Sequence, residues 1–234
     1  HLYARRQRQM CIRDRTKQRP LARGAIRPTS ALVLLIVLLS LSLAVVLSLD
    51  EASRQLCLLL SISALPAILL YPSAKRWFAY PQAVLAFCWG FAVLIPWAAA
   101  ERSLTLQPAL IGCWLATLLW TFGFDPVYAL ADRRDDAVIG LNSSALSLGN
   151  RAVGTVRTCY VLTVVALGVA AASAGVHPLF WIFWLGAALL MQISCQSLNH
   201  KNATMASFGL HFRRQVQLGS LLLVGLIVSR GLSG

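Results

Sequence analysis

Acidic side chains are scarce in this 234-residue chain, with 8 Asp and Glu against 21 Lys and Arg. Charged residues of both signs make up 12%, about half of what a soluble domain carries. That excludes an ordinary water-soluble globular protein. The six cysteines form no CxxC pair, and Cys57, Cys88, Cys113, Cys159 and Cys195 fall in or at the edge of apolar runs. They read as small buried hydrophobes, which argues against a disulfide framework. His1, His177, His200 and His211 have no metal-ligand spacing, so no zinc site is expected. No signal-peptide core opens the chain. No aromatics interleave with the bases, so the net charge of +13 does not indicate a nucleic-acid partner.

What the chain does have is apolar length. It is 58% hydrophobic, with a mean hydropathy of +0.68. A membrane span needs about 20 mainly apolar residues. Seven stretches qualify as candidates: 31–49, 56–71, 82–99, 108–124, 153–175, 177–197 and 216–232. Pro66 and Pro96 interrupt the second and third. The expectation is an all-α, polytopic transmembrane helix bundle in a lipid bilayer, with little room for a soluble domain. With a cytoplasmic N-terminus, 18 of the 21 Lys and Arg fall on the cytoplasmic side, and Arg54, Arg102 and Arg230 fall opposite. That asymmetry sets the expected orientation.

Four of the eight acids gather in one stretch, FDPVYALADRRDDAVIGLNSSALSLG, from Phe124 to Gly149. Asp125, Tyr128, Asp132 and Asp136 are spaced 3, 4 and 4 apart, which puts them on one helical face with Asp135 at its edge. One reading is a solvated loop between spans. The other is a cation site, because stacked like charges repel unless a cation gathers them. Carboxylates completed by water and substrate phosphate are what Mg²⁺ prefers. Pro126 disfavours helix at Asp125 and suits a first helical position. The expectation is that Asp125 N-caps a new short helix ending near Ile139, with Gly140 after it and Asn142, Ser143 and Ser144 in a polar turn.

Other segments are plainer. Asp50, Glu51 and Arg54 are expected in a short outer turn. Tyr71 and Lys75 are four apart, and Lys75 and Arg76 lie on the same side as the aspartates. They read as lipid anchors or as a diphosphate clamp. Arg19, Arg23 and Arg27 are also four apart. Two readings stand for them: anchoring to anionic lipid, worth about 1 kcal/mol per base, or binding of a diphosphate or carboxylate. Phe208, Phe212 and Gln215 recur at helical spacing and are expected to pack in the core. The opening string RRQRQMCIRDR resembles translated sequencing-adaptor read-through. Residues 1–15 are read as non-native and 16–234 as one membrane domain.

Three segments carry a family resemblance. DPVYALADRRDD followed by IGLNSSALSLG resembles the second aspartate-rich motif of UbiA-type intramembrane prenyltransferases. YPSAKRWFAYPQAVLAFCWGFAVLIPWAA is similar to that family's Tyr-Pro and Lys-Arg loop and the helix after it. RTKQRPLARGAI resembles the segment following its first aspartate motif. The likeness covers residue 16 to the end and points to the 4-hydroxybenzoate polyprenyltransferase branch. It departs at Pro126, where the family usually carries Thr or a similar residue. It departs again at the place of the first motif, NDxxDxxxD, taken here by RRQRQMCIRDR with Asp14 out of register. About seven spans of a nine-span fold are expected. The further expectation is that the chain as written inserts in a membrane but does not transfer prenyl groups.

The resemblance implies Mg²⁺-dependent transfer of a polyprenyl group from polyprenyl diphosphate to the ring of 4-hydroxybenzoate, in quinone biosynthesis. It implies Asp132, Asp136 and Asp135 as metal ligands, and Lys75, Arg76 and Arg133 at the diphosphate. Asp125 and Tyr128 would face the aromatic acceptor, with Arg19 and Asn142 as acceptor contacts. The implied setting is a bacterial inner or thylakoid membrane with the site on the cytoplasmic side. Two other readings remain. One is a sibling acting on homogentisate, a naphthoate or a chlorophyll precursor. The other, from a different class, is a transporter or channel fragment.

Overall fold

The computed structural model describes residues 19–139, 142–196, 198 and 205–232, without the side chains of 128, 131–139, 205, 206 and 208. Among the described residues the chain is helical throughout: α1 Pro28–Leu47, α2 Glu51–Leu70, α3 Pro81–Glu101, α4 Pro108–Ile139, α5 Ser144–Leu148, α6 Ala152–Ser173, α7 Phe180–Gln196 and α8 Met205–Leu232. Short 3-10 turns cover Tyr71–Arg76 and Gly149–Arg151. The seven expected spans each correspond to one helix. Six helical stretches are long and apolar enough to cross a membrane. The seventh expected span, α7, has 17 residues and is shorter than these six. Residues 1–15 lie outside the described residues.

Two compact units divide the chain at residue 54. The first holds α1 and the turn before it, where the Arg23 N–H donates to the Arg19 carbonyl at 3.0 Å. Arg27 precedes α1 and Pro28 opens it, a position where proline's missing N–H costs nothing. The start of α2 also belongs here and corrects the expected outer turn. Asp50 accepts from the Ser53 N–H at 3.4 Å and from its hydroxyl at 3.0 Å. Glu51 is therefore the first helical residue, since a carboxylate satisfies amides that the first turn cannot. Glu51 and Arg54 form an ion pair.

The second unit is organised around α4. Pro66, Pro96 and Pro126 all sit inside helices and do not end them. In a bilayer the alternative to a kinked helix is bare backbone in hydrocarbon, which costs more than one lost bond. Helix α4 packs chiefly on α6 and α3, and α7 packs on α8. The α4–α6 approach depends on two glycines eleven residues apart. A Cβ at Gly112 would lie 2.7 Å from the Ala166 carbonyl oxygen, and one at Gly123 2.9 Å from the Tyr160 ring. Absent side chains let backbones touch, as in membrane helix pairs generally. The core gathers Val127, Val156, Tyr160, Phe180, Met191, Leu218 and Leu222. Leu59, Ile62, Leu69, Ile182, Leu189 and Ile227 point outward and exposed, which suits lipid rather than water.

Candidate active site

The acidic stretch is the far end of a 32-residue helix, not a separate one. Residues 108–127 of α4 are long and apolar enough to cross a membrane, and the same helix continues through the acidic stretch to Ile139. This corrects the expected cap. Asp125 lies a full seventeen positions after Pro108, inside the helix, and Pro126 is fully buried behind it. Its carboxylate is therefore not committed to amides of a first turn. The unbroken backbone keeps positions 125, 128, 132 and 136 on one face, as their spacing requires. The side chains of Tyr128, Asp132, Arg133, Asp135 and Asp136 lie outside the described residues.

The second component is the 3-10 turn Tyr71–Arg76, with Pro72 near its start and Ala74 fully buried beneath it. Buried Ala74 anchors the turn, so that Lys75 is half-buried and Arg76 exposed. Two bonds fasten this segment to the chain following the acidic helix. The Asn142 N–H donates to the Lys75 carbonyl at 2.9 Å, and the Ser147 hydroxyl donates to the Ala79 carbonyl at 3.1 Å. Ser143 holds that second segment in shape, capping α5 by accepting the Leu146 N–H at 3.4 Å. Gly149 follows at φ +54°, a left-handed backbone that glycine adopts without strain.

Lys75 and Asn142 are thus brought together by backbone, while the Asn142 side chain is exposed. Asp125 and Tyr71 are both half-buried. Tyr71 opens the 3-10 turn that carries Lys75, and sequence reasoning placed it near Lys75 but did not assign it. Its i, i+4 relation to Lys75 was the available signal. Arg19 belongs to the first unit and is described there alone. Gln82 and Ser144 are buried, and the Gln82 amide and Ser144 hydroxyl have no hydrogen-bond partner among the described residues.

The described residues contain no group of three metal-ligating side chains. The donors that fit a hard cation are the carboxylates of α4, because all-oxygen ligation by one or two carboxylates suits Mg²⁺. Chemically, the arrangement offers carboxylates on one helix and Lys75 and Arg76 on a turn bonded to the segment that follows that helix. That combination can hold a phosphate ester through both a cation and direct charge-assisted bonds.

Comparison with known proteins shows the family. A model described as the UbiA prenyltransferase family matches residues 8–214. A 4-hydroxybenzoate solanesyltransferase of Synechocystis sp. is 38% identical over 215 residues, covering 92% of this chain and 72% of the relative. A 4-hydroxybenzoate octaprenyltransferase of Paraburkholderia phytofirmans is 34% identical over 215 residues, covering 91% and 71%. The apo structure of a UbiA homolog from Aeropyrum pernix K1 shares the fold, with a TM-score of 0.73 at 22% identity, covering 95% of this chain and 83% of that one. The expectation of a transporter or channel fragment is set aside. With its apolar helices, its acidic α4 and a match across most of its length, the chain is an integral membrane protein and belongs to the UbiA prenyltransferase family.

Proposed function

We propose that the protein transfers a polyprenyl group from polyprenyl diphosphate to the ring of 4-hydroxybenzoate, with Mg²⁺, on the cytoplasmic side of its membrane. The observation that carries this reading is the Asn142 to Lys75 backbone bond, which fastens a cationic turn to the segment that follows the carboxylate helix in the chain. The names of the relatives supply the acceptor. The distribution of Lys and Arg supports the sidedness.

The reaction breaks the allylic C–O bond, and the diphosphate departs with the electron pair. The ring carbon ortho to the hydroxyl bonds to the allylic carbon and then loses its proton. Ionisation is the hard step, since a leaving group of about three negative charges must be stabilised in a low-dielectric chamber. Asp132 and Asp136, with Asp135, are the residues that would hold Mg²⁺, which when bound neutralises diphosphate charge. Lys75, Arg76 and Arg133 bind the diphosphate oxygens directly. Asp125, Tyr128 and Asn142 line the acceptor side. Surrounding apolar helices exclude water, which would otherwise capture the allylic cation.

The test is an acceptor panel. Membranes containing the chain receive solanesyl diphosphate, Mg²⁺ and one of 4-hydroxybenzoate, homogentisate or a dihydroxynaphthoate. The chain is assayed as it stands and joined, ahead of Thr16, to the preceding segment of the Synechocystis enzyme. Prenylated 4-hydroxybenzoate as the main product is expected. A preference for another acceptor, or no product from either form, contradicts the proposal.

A further inference from the structure

A connected set of polar side chains crosses the apolar core. The Tyr160 hydroxyl on α6 and His211 Nε2 on α8 are 2.8 Å apart, with their rings stacked 7° from parallel. His211 Nδ1 lies 3.3 Å from the Ser194 carbonyl of α7. A carbonyl only accepts, so Nδ1 carries the hydrogen, Nε2 accepts, and the Tyr160 hydroxyl donates. The Ser194 hydroxyl donates to the Met191 carbonyl at 2.7 Å and accepts from Gln215 Nε2 at 3.1 Å. Gln215 Oε1 in turn accepts from Trp120 Nε1 of α4 at 3.0 Å. All five side chains are buried except Trp120, which is partly so. Four helices are joined through one set of bonds.

The set ends on α4 at a particular place. Trp120 takes the last hydrogen bond, and Gly123 rests on the Tyr160 ring so closely that a Cβ there would fall 2.9 Å from it. Phe124 packs edge-on to Phe212 at 5.7 Å, and Val127 joins Tyr160 in the core. These contacts bracket Asp125 and Pro126. Pro126 has no N–H to offer the Phe122 carbonyl, so the helical ladder is weakest just where the acidic half begins. Packing must supply the stiffness that the ladder lacks. Apolar side chains could fill this volume without the cost of burying polar groups in hydrocarbon. A satisfied polar network does what they cannot, by fixing a single rotation and height.

We propose that Tyr160 and His211 are positioning residues for prenyl transfer: their hydrogen bond, continued through Ser194 and Gln215 to Trp120, fixes the α4 segment that carries Asp125 and the aspartates beyond it. This rests on the proposed function for its kinetic consequence, but not for its structural one.

The experiment uses the full chain purified in detergent, as the parent, Tyr160→Phe, His211→Leu and His211→Gln. Phenylalanine keeps the ring against Gly123 and removes only the donor. Glutamine offers both an acceptor for Tyr160 and a donor for Ser194. Amide hydrogen exchange is followed by mass spectrometry, together with the melting temperature. Exchange in peptides covering 124–139 is expected to quicken about tenfold in Tyr160→Phe and His211→Leu, the equivalent of one lost hydrogen bond. Peptides of α3 should be unchanged, and His211→Gln should return towards the parent. A purely structural role would instead lower the melting temperature and quicken exchange evenly. In whichever form transfers prenyl groups, kcat should fall about tenfold with the KM for 4-hydroxybenzoate raised, and His211→Gln should recover both. Unchanged exchange at 124–139, or even loss across all helices, overturns the proposal. If no form transfers to 4-hydroxybenzoate, the function is wrong, and the exchange result alone decides the positioning role.

Discussion

The backbone N–H of Asn142 donates to the carbonyl of Lys75 across 2.9 Å, although the two are 67 positions apart. Because the bond uses main-chain atoms only, the Lys75 side chain can be removed without undoing the junction. Lys75→Met should therefore leave the melting temperature within a few degrees of the parent. It should raise the KM for the polyprenyl diphosphate and lower kcat/KM about 10- to 100-fold, since a charge-assisted bond is worth roughly 1.5–3 kcal/mol. Steady-state kinetics with varied donor check this. An unchanged donor KM would remove Lys75 from the diphosphate site.

Asp125 gives a second prediction through its place inside α4. Had it capped a helix, Asp125→Ser would be harmless, because serine caps about as well. In mid-helix, serine replaces nothing that the carboxylate does. Turnover should drop at least about tenfold in Asp125→Ser and in Asp125→Asn, with the protein still folded, if the group orients the acceptor through a hydrogen bond of ordinary worth. Full activity in the folded serine variant would return Asp125 to a structural role.

Gln82 tests the reading of buried polar groups. Its amide is wholly buried and unpartnered among the described residues. An unmade buried hydrogen bond costs about 1–3 kcal/mol, so Gln82→Met, of similar length and apolar, should raise the melting temperature. A lower melting temperature would show that the amide is satisfied in the membrane-embedded protein.

Glycine packing supplies a paired control. A Cβ at Gly225 would meet the Phe183 Cβ and Cγ at 2.7 Å, whereas nothing lies within 4 Å of one at Gly154. Gly225→Ala should destabilise by about 1–3 kcal/mol through overpacking of α7 against α8. Gly154→Ala should be neutral or slightly stabilising, by up to about 1 kcal/mol of helix propensity. Thermal unfolding in detergent compares the two, and equal effects would contradict the observed α7–α8 contact.

Much of this was legible in the sequence. Apolar length alone located seven helices, because in hydrocarbon the backbone has few alternatives. The 3, 4, 4 spacing of the acidic stretch anticipated one helical face. What failed was local rules read without tertiary context. Pro126 is expected to start a new helix, yet it lies inside α4. Glu51 and Arg54 are expected in the turn with Asp50, but only Asp50 stays outside the helix, where it caps the first turn through Ser53. The core network was hidden for a different reason. Tyr160, Ser194, His211 and Gln215 are spread over three helices, and only folding brings each within 3.3 Å of the next in the set. Gln215 was expected to pack in the core and does, though as a hydrogen-bonding group.

The central claim is that the carboxylates on the α4 face carry prenyl transfer to 4-hydroxybenzoate, and the most direct measurement is product formation with Asp132→Asn and Asp136→Asn. Membranes containing each variant are given solanesyl diphosphate and 4-hydroxybenzoate, with Mg²⁺ or with EDTA, in the form of the chain that shows parent activity. The account predicts Mg²⁺-dependent product from the parent and a loss of at least about a hundredfold in each variant, as expected when a ligand stabilising the leaving group is removed. Product within about tenfold of the parent from either variant, or undiminished product in EDTA, would contradict it.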